Sequence, residues 1–131
     1  MIIDSPEEMM KFGMELAKKH KVILLEWNLW AGKTLLTKGF ASQIWIDEKK
    51  VQSPTYAYIN IYDDKLLHLD MYRFESFDDV VEKWILDQIN NHEYISIERP
   101  KFVDKLWLKN YVLIRISKLD QDKREIIIEE R

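Results

Sequence analysis

An uninterrupted apolar run, Val22-Ile23-Leu24-Leu25, separates two segments with helical periodicity. A short run of this kind is typical of a strand buried on both faces, as in parallel sheets covered by helices. The helix before it is predicted to begin after Ser5, with Glu8 as its capping-box partner. The helix after it is predicted over Thr34–Ile44. The order helix, buried strand, loop, helix indicates an α/β fold.

Strands and helices continue to alternate along the rest of the chain. Strands are predicted at Tyr56–Tyr62 and Lys65–Asp70, which form a hairpin through Asp63 and Asp64, and at Tyr94–Ile97, Tyr111–Ser117 and Arg124–Glu129, with one amphipathic helix over Phe77–Asn90. The 131 residues suffice for one hydrophobic core, and no linker or repeat divides them. We therefore expect a single α/β domain over residues 1–131, with a mostly parallel central sheet, flanking helices and a β-hairpin.

Charge and cysteine content narrow the possible function classes. With 20 Lys+Arg and 23 Asp+Glu, the net charge is -3, so the chain lacks the basic character of a protein that grips nucleic acid alone. The absence of cysteine suits a reducing cytosol. No apolar run approaches the roughly 20 residues of a membrane span, and the acidic N-terminus is not typical of a signal peptide. A cytoplasmic protein with no membrane contact is expected.

Gly32, Lys33 and Thr34 stand where the buried strand is followed by a helix. The phosphate-binding loop G-x-x-x-x-G-K-[ST] occupies this context, because its backbone N–H groups and helix N-terminus surround phosphate, its lysine neutralises phosphate charge and its hydroxyl binds magnesium. The first glycine of the pattern would stand at position 27, which is Trp27 here. Since Gly-Lys-Thr also occurs by chance, the alternative is a helix start with a solvated lysine.

Four motifs in order resemble those of the TsaE (YjeE) family of small P-loop ATPases, and the resemblance covers most of the chain. They are Trp27-Asn28-Leu29-Trp30-Ala31-Gly32-Lys33-Thr34, followed by Lys38-Gly39, then Ser53-Pro54-Thr55-Tyr56, His68-Leu69-Asp70-Met71-Tyr72-Arg73 and Ile97-Glu98-Arg99-Pro100. Arg99 departs from the family, which has tryptophan at that place. This departure puts any stacking role of the position in doubt.

The resemblance implies a site for ATP and Mg²⁺. It implies Lys33, Asp70 and Glu98 as catalytic residues, Thr34, Asp70 and Glu98 as magnesium ligands, and a nucleotide-binding loop made of Trp27, Asn28, Leu29, Trp30, Ala31, Gly32, Lys33, Thr34 and Leu35. Ser53, Pro54 and Thr55 would belong to a segment that senses the γ-phosphate. Tyr72 and Arg73 would either form a partner-facing patch or anchor the loop after their strand. Because Asp70 and Glu98 each end a predicted strand, both are expected at the carboxyl edge of the sheet.

Simpler interpretations of these residues stay open. His68 is interpreted first as a satisfied core residue. Asp70 could be a turn former instead of a ligand, and Glu98 could form a surface ion pair with Arg99.

The resemblance also implies a function. The chain would bind and hydrolyse ATP as an accessory component of tRNA threonylcarbamoyladenosine formation, docked on a TsaB–TsaD pair, and would reach tRNA only through that complex. One alternative is a non-catalytic homologue that retains only partner binding. A small-molecule kinase is less favoured, because the chain has few arginines to clamp a transferred phosphoryl group.

Tryptophan outnumbers glycine, 5 to 3, although about nine glycines would be usual for this length. Trp27, Trp30 and Trp45 stand where the family has glycine. Trp84 stands where family members often have glycine or another small residue, and Trp107 stands in a predicted turn. One explanation is that the gene uses UGA for glycine and has been translated with UGA as tryptophan; the other is a homologue that lost its glycines. UGG codons at positions 27, 30 and 45 would exclude the first. We expect the chain as written to bind ATP poorly.

Overall fold

The computed structural model describes residues 1–27, 33–52 and 58–130. Its helices are α1 (Pro6–Lys19), α2 (Lys33–Gln43), α3 (Phe77–Glu82) and α4 (Ile85–Asn91). Its strands are β1 (Ile2–Ile3), β2 (Val22–Trp27), β3 (Ile59–Tyr62), β4 (Leu66–Asp70), β5 (Tyr94–Glu98), β6 (Tyr111–Lys118) and β7 (Arg124–Glu130). Short 3-10 turns lie at Glu48–Lys50 and Val103–Lys105.

Within the described ranges, seven strands form one sheet in the order β1-β7-β6-β2-β5-β4-β3. The four adjacent strands β6, β2, β5 and β4 are parallel, whereas β1, β7 and β3 pair antiparallel. Asp63 and Asp64 join β3 to β4 with φ angles of 54° and 53°, and Lys65 N–H donates to the Tyr62 carbonyl at 2.9 Å. The predicted α/β fold, with its mostly parallel centre and its hairpin, is confirmed.

Helices cover both faces of this sheet, and the alternation along β2 shows the two layers. Ile23 and Leu25 face the layer of α1 and α2, where they join a buried cluster with Phe40. Leu24 faces the opposite layer and joins a cluster that contains Ile85 of α4. Because successive strand residues point to opposite faces, a strand buried on both sides has no polar face, as its sequence indicates.

Helix α1 begins where the sequence predicts, but its capping differs by one residue. Ser5 Oγ accepts a hydrogen bond from the Glu8 N–H at 3.1 Å. Glu8 reaches back to the N–H of Asp4, at 3.3 Å, instead of that of Ser5. None of the helices in the described part of the chain is long and apolar enough to cross a membrane.

The prediction of one continuous helix over Phe77–Asn90 is wrong. The segment forms α3 and α4, separated at Trp84, whose φ is 60°. A residue with left-handed backbone cannot continue a right-handed helix, so the chain turns there. Tyr58 lies outside β3 and Lys65 lies outside β4, although both were predicted to belong to the hairpin strands. Strand β1 and the two 3-10 turns have no counterpart in the sequence-based prediction.

Candidate functional site

Lys33 and Thr34 are the first two residues of α2, and five residues separate them from Trp27, the last residue of β2. The strand and helix that flank the predicted phosphate loop are therefore both present. Asn28, Leu29, Trp30, Ala31 and Gly32, like Ser53, Pro54 and Thr55, lie outside the described residues, as does the side chain of Trp27. Their predicted contacts stay predictions. Leu35 is half-buried and packs against the core cluster of α1 and α2.

Asp70 and Glu98 are the last residues of β4 and β5 and are register partners in this parallel pair. Both are almost fully buried, with 1% and 0% of their surface exposed. The structure therefore places the two carboxylates side by side at the carboxyl edge of the sheet, where α/β folds bind their ligands. The alternative in which Glu98 lies on the surface is wrong, because the side chain is enclosed by the core.

Lys33 approaches Glu98 from the start of α2. Its Nζ lies 3.7 Å from Glu98 Oε1, a separation that makes an ion pair longer than a hydrogen bond. Partial burial lowers the pKa of Lys33, and the negative charge of Glu98 opposes this shift. Glu98 Oε1 is buried without a hydrogen-bond partner among the described residues. An unpaired buried carboxylate oxygen is costly, which makes this atom a candidate for contact with a cation or water.

His68 lies below the site on β4 and is fully buried. Its Nε2 forms a short contact with Glu98 Oε2, and its Nδ1 lies 3.2 Å from the hydroxyl of Tyr62. That hydroxyl also accepts from the N–H of Gln52 and lies 3.1 Å from the Gln52 carbonyl. His68 is thus a satisfied buried residue, as the simpler interpretation holds, and it also contacts the candidate site directly.

Arg99 holds Asp70. Its Nε donates to Asp70 Oδ1 at 3.1 Å, and its Nη2 contacts Oδ2. Asp70 Oδ1 also accepts from the Tyr72 N–H at 3.0 Å, and the guanidinium lies 4.3 Å from the centre of the Tyr72 ring. Tyr72 and Arg73 are both exposed, beside the carboxyl edge. The ion partner of Arg99 at this edge is thus Asp70, whereas the sequence suggested Glu98.

Four contact residues were missed as members of this site: Tyr62, Gln52, His68 and, in its role at Asp70, Arg99. One signal was available for His68, because Leu66, His68 and Asp70 alternate along β4 and so share one face of the strand. The contacts of Tyr62 and Arg99 join side chains from different strands, and no local sequence pattern predicts them.

The donor set suits a hard divalent cation in part. Thr34, Asp70 and Glu98 offer hydroxyl and carboxylate oxygens, which are the ligands that Mg²⁺ prefers. The unpaired Oε1 of Glu98 fits such an ion, whereas both oxygens of Asp70 already accept hydrogen bonds. In the described ranges, no group of three or more His, Cys, Asp or Glu side chains is placed to hold a metal. A magnesium ion at this edge would therefore rely on the hydroxyl and on phosphate oxygens as well.

Comparison with known proteins agrees with the fold and with the motifs. The chain is 33% identical to the tRNA threonylcarbamoyladenosine biosynthesis protein TsaE of Aquifex aeolicus, over 98% of this chain and 93% of that protein. It is 34% identical to the Bacillus subtilis protein of the same name, over 93% and 79%.

The fold resembles the crystal structure of Bacillus subtilis YdiB, with a TM-score of 0.67 and 25% identity over 96% of this chain and 80% of that one. The family model described as threonylcarbamoyl adenosine biosynthesis protein TsaE matches residues 3–126, which is most of the chain. The resemblance inferred from the four motifs is confirmed, and the chain belongs to the TsaE family.

Proposed function

We propose that residues 1–131 form one P-loop ATPase-like domain that takes part in threonylcarbamoyladenosine formation on tRNA. Family membership and the names of the similar proteins support this role. In the proposal the protein is cytoplasmic, binds and hydrolyses ATP, and acts while docked on a TsaB–TsaD pair. The net charge of -3 suits a protein that meets tRNA through such a complex.

One observation supports the ATP site most directly. Lys33, at the first position of the helix after β2, lies 3.7 Å from a buried carboxylate oxygen of Glu98 that has no hydrogen-bond partner among the described residues. A helix N-terminus with a lysine favours phosphate, and a buried carboxylate beside it favours a cation or an attacking water. The two groups together suit a nucleotide that carries magnesium.

The proposed roles of the residues are those that the family resemblance implies. Lys33 would neutralise the terminal phosphates of ATP. Thr34, Asp70 and Glu98 would hold Mg²⁺, which would supply positive charge to neutralise the phosphates. Glu98 is also placed to orient water, since its Oε1 is free of hydrogen bonds within the described structure.

A non-catalytic homologue is the second candidate, and a specific contact favours it. Two nitrogen atoms of Arg99 donate hydrogen bonds to the two carboxylate oxygens of Asp70. One of the proposed magnesium ligands is therefore already bound by a side chain. Trp27 and Trp30 stand in addition at loop positions where an indole would fill phosphate space. A protein with these features could keep the fold and the partner surface without turnover.

Calorimetry with MgATP tests the proposed site. The chain as written should bind weakly, and the double variant Trp27→Gly, Trp30→Gly should bind at least tenfold more tightly, because glycine allows the backbone to approach phosphate. Lys33→Ala in the double variant should abolish the gain. Equal affinities of the two chains would contradict the role of the indoles, and the absence of binding in both would contradict the ATP site.

Turnover separates the two candidate functions. With a TsaB–TsaD pair present, the double variant should hydrolyse ATP, and Glu98→Gln should lower the rate by about a hundredfold or more while binding persists. Pull-down of the pair without any turnover would favour the non-catalytic homologue. Failure to bind the pair at all would contradict both.

A further inference from the structure

Tyr62, His68 and Glu98 form a buried line of side chains from β3 through β4 to β5. His68 and Glu98 are completely buried, and Tyr62 is nearly so. His68 uses one ring nitrogen for each neighbour, Nε2 for Glu98 Oε2 and Nδ1 for the Tyr62 hydroxyl at 3.2 Å. The rings of Tyr62 and His68 are 5.9 Å apart. No solvent reaches the carboxylate from this side, so its orientation is decided by protein atoms.

The hydrogen-bond partners of His68 determine which of its ring nitrogens carries a proton. A carboxylate only accepts, so Nε2 must carry the proton shared with Glu98 Oε2. Nδ1 faces the Tyr62 hydroxyl, which accepts from Nδ1 when that nitrogen carries a proton and otherwise donates to it in place of the Gln52 carbonyl. Burial raises the pKa of Tyr62, which keeps the phenol in its neutral, donating form. The ring orientation is therefore supported from both sides.

The two oxygens of Glu98 then have different surroundings. Oε2 is held by His68, whereas Oε1 lies 3.7 Å from Lys33 and has no hydrogen-bond partner in the described structure. Gln52, which contacts the Tyr62 hydroxyl with both its N–H and its carbonyl, completes the support at the far end.

We propose that His68 is a positioning residue for Glu98: its Nε2–H holds Oε2 and leaves Oε1 turned toward Lys33, while Tyr62 keeps the ring in that orientation. The inference rests on the proposed function, because it treats Glu98 as a group of the ATP site. Outer partners of this kind orient a carboxylate before the ligand arrives.

Two substitutions at position 68 separate positioning from packing. In His68→Gln the side-chain amide replaces Nε2 and can still donate to Glu98, whereas in His68→Asn the amide reaches only the place of Nδ1. Both variants remove the ring and leave a polar side chain, so a purely structural role predicts similar effects. His92→Gln is the matched control, because His92 is also hydrogen-bonded, to the Gln88 carbonyl, but is the C-cap residue of α4 and contacts none of the site residues named above.

The first measurement needs no nucleotide. In ammonium ¹⁵N spectra of the full chain, the Lys33 Nζ signal should move in His68→Asn and stay in place in His68→Gln and His92→Gln. Tyr62→Phe should give a smaller shift, because Nε2 keeps its partner. Equal signals in the Gln and Asn variants would overturn the proposal, even if the chain never binds ATP.

The second measurement uses turnover with a TsaB–TsaD pair, in the Trp27→Gly, Trp30→Gly chain. His68→Asn should lower kcat by about 10- to 100-fold with an unchanged dissociation constant for MgATP, and His68→Gln should retain most of kcat. Equal losses in both variants, or a loss in binding instead of kcat, would overturn the positioning role. Absence of turnover in the parent chain would count against the proposed function alone, since the Lys33 spectrum decides the positioning separately.

Discussion

Trp45 has the backbone conformation of a glycine. Helix α2 ends at Gln43, and Trp45 follows with a φ of 69°. The Ile46 N–H donates to the Ala41 carbonyl at 3.0 Å, and the Trp45 N–H donates to the Ser42 carbonyl at 3.2 Å. This pair of bonds is the Schellman motif, whose left-handed position is usually glycine. The indole itself is 89% exposed, so it gains little from burial.

Replacement of Trp45 by glycine should therefore stabilise the protein. Left-handed backbone costs a residue with a Cβ roughly 1–2 kcal/mol, and the greater entropy of glycine in the unfolded chain offsets part of that gain. We expect Trp45→Gly to raise the free energy of unfolding by about 1 kcal/mol in urea titrations. Trp45→Ala removes the same indole but keeps the Cβ, so it should not raise stability. A gain of equal size in both variants would show that the indole, and not the backbone, carries the strain.

At Asp70, we expect the guanidinium of Arg99 to compete with a divalent cation for the same carboxylate oxygens. Because Arg99 contacts both oxygens of this buried carboxylate, Arg99→Ala should lower the melting temperature of the free protein by leaving the charge unpaired. Under the proposed function, added MgCl₂ with ATP should then raise the melting temperature more in the variant than in the parent. Arg73→Ala, an exposed neighbour, is the control. The same response to magnesium in variant and parent would rule out the competition.

At the scale of elements, α1 and α2 cross where each has a glycine. A Cβ on Gly39 would lie 1.9 Å from the Met10 carbonyl oxygen, and one on Gly13 would lie 2.0 Å from that of Leu36. The sequence shows Gly13 only as a weak point of a helix, because helical propensity describes one segment and not its neighbour. The structure shows that both glycines allow the backbones of the two helices to touch.

Gly39→Ala should separate these helices and destabilise the fold. The added methyl group has no free space, and the atom it meets belongs to backbone, which cannot rotate away. We expect a loss of about 1–3 kcal/mol or more in chemical unfolding, despite the better helical propensity of alanine. Lys11→Ala, at an exposed position of α1, should change stability by no more than about 0.5 kcal/mol. Unchanged stability of Gly39→Ala would mean that the helices tolerate a wider separation.

Local patterns predicted most of these elements because their signals are local. The cap at Ser5, the apolar run of β2 and the turn at Asp63 and Asp64 each depend on residues within a few positions of one another. The break at Trp84 was missed because the apolar spacing continues through it and tryptophan carries no turn signal. If glycine stood at position 84, the same sequence would have predicted a break there.

At the scale of the whole molecule, the sequence predicted which carboxylates meet but not what holds them. Asp70 and Glu98 could be placed together because parallel strands bring their carboxyl ends to one edge. The contacts of His68 with Glu98 and of Arg99 with Asp70 depend on strand order, register and rotamers, which are properties of the assembled sheet. The side chains that orient a site are thus less visible in a sequence than the groups they orient.

Within the described residues, three tryptophans share the left-handed backbone, on separate parts of the fold: Trp45 after α2, Trp84 between α3 and α4, and Trp107 before β6. Their φ angles are 69°, 60° and 60°, and each side chain is at least two-thirds exposed. Glycine adopts this conformation without a steric cost, whereas a tryptophan is strained in it, as are Tyr58 and Phe102, which have similar φ angles.

The triple variant Trp45→Gly, Trp84→Gly, Trp107→Gly should therefore gain stability close to the sum of the single gains, about 2–3 kcal/mol, since distant sites are additive. For a chain of this length that corresponds to a melting temperature higher by roughly 10 °C. The three matching alanine substitutions are the control and should give no comparable rise. A triple glycine variant that melts at or below the temperature of the parent would show that the fold has adapted to its tryptophans, and would argue against glycine as the native residue.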